Sequence, residues 1–164
     1  MVFIGSLSGW IGHPGVSAYA GSKFALEGSL PSLDIMLSNH LLTMTPELGI
    51  VEGLWRETSP LGIKTLLFEP GRFRTKLLSS GNMKAAASTI PEYAEFSKSL
   101  MGGLAQEDQT QPGDPVKLVE IILDAVRQEG IVKGREVPFR LPLGTDLLGK
   151  ARWHLAHLYI STSQ

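Results

Sequence analysis

The chain of 164 residues contains no cysteine, which excludes a disulfide framework and any thiolate metal site. It also lacks an excess of either charge. Fifteen Lys and Arg stand against sixteen Asp and Glu, a net charge of −1, so no basic footprint for nucleic acid or a polybasic membrane anchor is present. Its apolar stretches stop well short of the roughly 18 residues a membrane span requires. Met1-Val2-Phe3-Ile4-Gly5 lacks the charged start and long apolar core of a signal peptide. Together these absences predict a soluble, cytoplasmic globular domain with neither nucleic-acid nor membrane partners. The 18 Gly and 10 Pro are scattered among apolar runs as turn punctuation, without internal repeats.

Strand and helix patterns alternate along the chain. Val2-Phe3-Ile4 reads as a short buried-type strand that ends at Gly5. Residues 17–28 read as a helix with Ser17 as its N-cap. Leu33 to Leu42 fits a short helix and Gly53 to Ser59 another. Ile63 to Phe68 is a nearly continuous apolar run, as expected of a central parallel strand, and stops at Glu69-Pro70-Gly71. A helix is predicted around Pro91 to Leu100. Asp114-Pro115 opens a stronger one, with Val116, Val119, Ile122, Leu123 and Val126 on one face and Gly130 as its stop. Phe139 to Leu143 reads as a last strand and Asp146 to Tyr159 as a C-terminal helix. This alternation predicts an α/β fold with a parallel sheet.

Tyr19-Ala20-Gly21-Ser22-Lys23 places a phenol and an ammonium four residues apart, on one face of the predicted helix. A free phenol is a poor acid or base at neutral pH. A neighbouring ammonium favours the phenolate and makes the Tyr a usable proton donor or acceptor. Alone, such spacing arises readily by chance. Here Ser6 stands just after the first strand, and the strand after the helix ends in Pro70-Gly71-Arg72-Phe73-Arg74-Thr75.

The ordered set strand–Ser, helix–Tyr-x-x-x-Lys, strand–Pro-Gly-x-x-x-Thr resembles the short-chain dehydrogenase/reductase family. The match covers Val2 to Glu27, Pro60 to Leu78 and Phe139 to Asp146. The resemblance implies part of a Rossmann-like, doubly wound parallel sheet and an NAD(P)-dependent enzyme that interconverts a carbonyl and a secondary alcohol. Ser6 would steady the substrate oxygen and Tyr19 would exchange a proton with it. Lys23 would hold the nicotinamide ribose and favour the Tyr19 phenolate. Pro70 and Gly71 would line the nicotinamide pocket through their backbone, and Thr75 would bind the carboxamide. The cofactor implied by the resemblance is NADP or NAD, with NADP slightly favoured. Residues 72–111 would form a variable lid, whose Leu77, Leu78, Met83, Ile90, Tyr93, Phe96, Leu100 and Met101 suggest an apolar small-molecule substrate or simple lid packing. The resemblance also allows a homo-oligomer, since in this family the Tyr–Lys helix and the one after it often form oligomer interfaces, a surface that an inserted block at residue 28 would spoil.

Two departures from the family pattern stand out. The cofactor-binding half, with its Gly-rich turn, would precede Ser6 and is not found in these residues, so the domain is expected to be truncated. The alternative function is then a non-catalytic remnant that holds no dinucleotide. Gly5 to Gly12 follows a strand but has the wrong spacing for the dinucleotide turn. Residues 29–53, flanked by the repeated pairs Glu27-Gly28 and Glu52-Gly53, read as an insertion that interrupts the Tyr–Lys helix, and a translated intron would explain them. His13 is expected to be a turn residue and Arg72, Arg74 and Lys76 a solvated run. Trp55 and Phe24 are expected in the core. His154 and His157 share a helix face without a third ligand, so no metal site is predicted.

Overall fold

The computed structural model describes residues 1–28, 49–83 and 89–150. Three short strands form its sheet: β1 (Val2–Ile4), β2 (Leu66–Pro70) and β3 (Arg140–Leu143). Their order is β1-β2-β3 and both pairings are parallel, Phe3 opposite Leu67 and Phe68 opposite Leu141. Parallel neighbours need long crossover connections. Helices α1 (Ser17–Glu27) and α2 (Ile50–Thr58) lie in the first, and α3 (Ala94–Glu107) and α4 (Pro115–Arg127) in the second. The protein is therefore α/β, as its alternating pattern predicts, and is consistent with a partial Rossmann-like fold.

β2 is the central strand and buries apolar side chains on both faces. Leu67 and Phe68 point to opposite sides and both are fully buried. The element is also shorter than expected: pairing begins at Leu66, and Ile63 and Lys64 remain exposed. β1 departs from its reading as a buried strand. Among the described residues it pairs only with β2, and Val2 and Ile4 are each 45% exposed. A second core cluster, Leu7, Trp10 and Leu147 with Ile11 against it, lies where the turn after β1 meets the helical residues 145–150 after β3.

Helix boundaries follow local chemistry with some differences from the sequence reading. Ser17 is the first helical residue of α1, and Val16 occupies the cap position without a side-chain bond. α2 starts at Ile50, earlier than Gly53, so the helix takes in the last residues of the expected insertion. The backbone of Gly49 lies so close to Gly28 that a Cβ at 49 would overlap it, and the chain on either side of residues 29–48 meets there. α3 extends to Glu107, well beyond Leu100. In α4, Asp114 caps as expected, accepting from Val116 N, but Gln128 ends the helix in the left-handed region and Gly130 starts a separate 3-10 turn. The apolar face of α4 is turned outward: Val116, Val119, Leu123 and Val126 are exposed, and Ala125 is buried instead. The expected helix at 33–42 lies outside the described residues, as does the C-terminal helix beyond residue 150.

Candidate functional site

Ligands of open α/β sheets bind beyond the carboxyl ends of the strands. Ser6 and Gly71 both follow such ends. Gly5 N donates to Phe68 O (2.7 Å) and Gly71 N to Leu143 O (2.7 Å), which continues the ladder just past β1 and β2. Ser6 then caps the 3-10 turn Leu7–Gly9, its Oγ accepting from Ser8 N at 3.1 Å. That turn feeds the Gly12-His13-Pro14-Gly15 loop and α1, which carries Tyr19 and Lys23.

The Tyr19 hydroxyl donates to Ser6 Oγ over 3.3 Å, and Lys23 Nζ donates to the Ile4 carbonyl over 2.9 Å. The ammonium sits 5.8 Å from the centre of the Tyr19 ring. The structure thus brings together the three residues that the spacing singled out. With two donors on its Oγ, Ser6 has its lone pairs occupied and its own O–H proton left to donate outward. Lys23 spends one of three protons on Ile4 and keeps two for another partner. Tyr19 is 40% exposed, so a reactant can reach it from solvent.

Pro70 ends β2 and Gly71 follows it at the same end of the sheet. A Cβ at Gly71 would collide with the Asp146 carboxylate, so any other residue there displaces that side chain. Thr75 is exposed and caps a short turn, with its Oγ1 accepting from Leu77 N at 3.3 Å and its proton free to donate. These donors fit the ribose and carboxamide end of a nicotinamide dinucleotide: Lys23 for ribose hydroxyls and Thr75 for an amide oxygen. The Gly5–Gly9 turn does not fit a pyrophosphate. The Glu27 carboxyl group packs against both glycines and occupies the space their missing Cβ atoms leave.

Several residues around the site escaped the sequence reading. Glu27 is buried at the end of α1, and its Oε1 accepts from the Ser6 backbone N–H at 2.6 Å. Glu69 on β2 is fully buried beside it. Arg140 on β3 donates from Nε and Nη2 to Glu69 Oε1, and from Nη1 to the Glu27 carbonyl at 3.2 Å. The Trp10 ring lies 5.4 Å from this guanidinium. Burial first, then hydrogen bonding and like charge from Glu69, push the Glu27 carboxyl up to about 8. A Glu eight positions after the Tyr was visible, but it reads as an ordinary solvent-facing helix residue.

Of the expected solvated run, Lys76 is exposed, whereas Arg72 and Arg74 bracket the loop after β2. Arg72 pairs with Asp146 (3.2 Å) and Glu107 (2.8 Å), and Arg74 donates to the Gln111 and Pro112 carbonyls. α3 comes close to the loop leading to Tyr19, since Gly15, at φ +79°, leaves room for the Leu100 side chain. In that segment Leu77, Ile90, Tyr93 and Phe96 have exposed side chains. His13 is half-buried in its turn, its pKa lowered by burial and then by Lys150 and Arg72. Trp55 stacks on Phe139 at 4.9 Å, whereas Phe24, expected in the core, is exposed. Among the described residues no group of three or more His, Asp or Glu side chains is placed to hold a metal, and no helix is long and apolar enough to cross a membrane. His154 and His157 lie outside them.

Comparison with known proteins finds two relatives. One is the uncharacterized oxidoreductase YusZ of Bacillus subtilis (strain 168), 27% identical over 149 residues. The other is oxidoreductase BOA17 of Botryotinia fuckeliana (strain B05.10), 27% identical over 151 residues. Each alignment covers 90% of this chain and 44% of the relative, so the chain spans less than half the length of these relatives. No family model matches the sequence.

Proposed function

We propose that this chain carries the proton-transfer machinery of an NAD(P)-dependent oxidoreductase of the short-chain dehydrogenase/reductase type. The reaction is the interconversion of a carbonyl and a secondary alcohol. The observation that carries this reading is the Tyr19–Ser6 hydrogen bond, with Lys23 beside the phenol, beyond the carboxyl end of β1. The oxidoreductase names of both relatives support it.

In reduction, Ser6 donates its free O–H to the substrate oxygen and stabilises the charge that grows on it. Tyr19 then transfers its phenolic proton to that oxygen, and the nearby Lys23 ammonium stabilises the phenolate left behind. In oxidation the same proton returns to Tyr19. Lys23 and Thr75 hold the ribose and carboxamide, and Pro70 and Gly71 present the backbone wall beside them. The dinucleotide, when bound, supplies or accepts the hydride. Residues 72–111 serve as a lid, and the exposed Leu77, Tyr93 and Phe96 favour an apolar carbonyl or alcohol.

Titration of the full chain with NADPH and NADH, followed by Trp fluorescence, tests this reading. Saturable binding and oxidation of the bound cofactor by an apolar ketone or aldehyde are expected. Absence of binding by both dinucleotides at millimolar concentration would overturn it and leave a non-catalytic relative.

A further inference from the structure

Beneath Ser6 lies a buried acidic pair that the proposed proton transfer does not use. Glu27 and Glu69 are 1% and 0% exposed, and one guanidinium, Arg140, faces them. Fully ionised, the cluster would carry an uncompensated negative charge out of water, a costly state. Oε1 of each carboxyl group is occupied, that of Glu27 by the Ser6 N–H and that of Glu69 by Arg140. Oε2 of each has no donor at all. Two carboxylates cannot satisfy one another, because neither has a proton to give. One added proton removes the surplus charge and supplies the missing donor.

We propose that Glu27 and Glu69 share a single proton above Arg140, and that this protonated pair positions Ser6 for proton transfer. This role rests on the oxidoreductase reading; the shared proton itself does not. The titratable and charged groups facing Glu27 are Glu69 on β2 and Arg140 on β3, and the turn after β1 presents the Ser6 N–H. Burial and the like charge of Glu69 hold the proton on the pair at neutral pH. Loss of the proton to solvent leaves two carboxylates in contact and pushes Glu27 away from Glu69. Because Glu27 Oε1 holds the Ser6 backbone, that movement reaches the Ser6 hydroxyl and its bond to Tyr19. Glu27 is thus a positioning residue.

Carbon-13 NMR of the full chain, labelled in its Glu side chains, tests the shared proton without any need for activity. One carboxyl group should titrate above pH 6 and disappear from the spectrum in Glu27→Gln. The Ser6 amide resonance should move with the same midpoint in the wild type and stay still in Glu27→Gln. The Glu69→Gln variant should lower the remaining carboxyl midpoint, since the like charge is gone. Absence of any Glu titrating above pH 6, or a Ser6 amide indifferent to that titration, would overturn the proposal. In rate measurements, Glu27→Ala should lower kcat by about tenfold or more through misplacement of Ser6, and Glu27→Gln should recover most of that loss. The wild-type rate should also fall on the alkaline side with the NMR midpoint, whereas Glu27→Gln lacks that inflection. An active enzyme whose pH profile is the same in both proteins would overturn the positioning role and leave the oxidoreductase reading standing.

Discussion

Tyr19 donates its hydroxyl proton to Ser6 Oγ across 3.3 Å, joining α1 to the turn that follows β1. If this contact is the proton-transfer centre, Tyr19→Phe should lower kcat by roughly 10²–10⁴-fold, the usual worth of a positioned acid or base. Ser6→Ala should also lower it, and the double variant should lose far less than the product of the two, because the residues act as a unit. Steady-state kinetics with the cofactor in excess check this. Additive losses would separate the two roles.

Stability should depend on pH through Glu27. Its folded value of about 8 lies above the ordinary 4.5, so the native state keeps a proton that the unfolded chain releases. The contribution is fully present below 4.5 and is lost as pH rises through 8. Urea midpoints of the wild type should therefore fall between neutral pH and pH 9, and those of Glu27→Gln should fall less.

Arg140→Met should destabilise the fold by about 3–5 kcal/mol, since it leaves buried carboxyl groups without their cation. The loss should be greater at pH 9 than at pH 6, where the shared proton offsets part of the charge. Urea denaturation at both pH values measures it.

Gly71→Ala places a methyl group on the Asp146 carboxylate, which Arg72 holds from its backbone N–H at 2.9 Å and from its Nε. Overpacking of this kind costs about 1–3 kcal/mol. A lower Tm and weaker dinucleotide binding are expected together, because the bracket that sets the loop after β2 moves. An unchanged Tm would show that Asp146 yields freely.

At the helix start, Asp114→Ala should cost about 1 kcal/mol through the lost cap on Val116 N. Thermal denaturation gives the number directly.

What the residues revealed in advance was what local chemistry decides. The alternation of apolar runs with helical patterns announced the parallel sheet, and Asp114-Pro115 announced the start of α4. Tyr19 and Lys23 were legible as a pair because helix periodicity puts residues four apart on one face, and Ser6 joined them through the resemblance of the ordered set to a known family. The Glu27–Glu69–Arg140 cluster was hidden because its members come from three elements and each, alone, looks like a surface charge. The same reason hid the Arg72 bracket, whose partners Glu107 and Asp146 are distant in sequence. For α4 the gap was of another kind. Periodicity identified its apolar face, but it says nothing about which neighbour, if any, lies against that face.

The contact between Gly28 and Gly49 makes the α1–α2 junction a socket. Chain that departs and returns at one spot can change in length while β1 and β2 keep their register. A reporter or affinity module grafted between these two glycines would thus ride on the protein without pulling Tyr19 from Ser6.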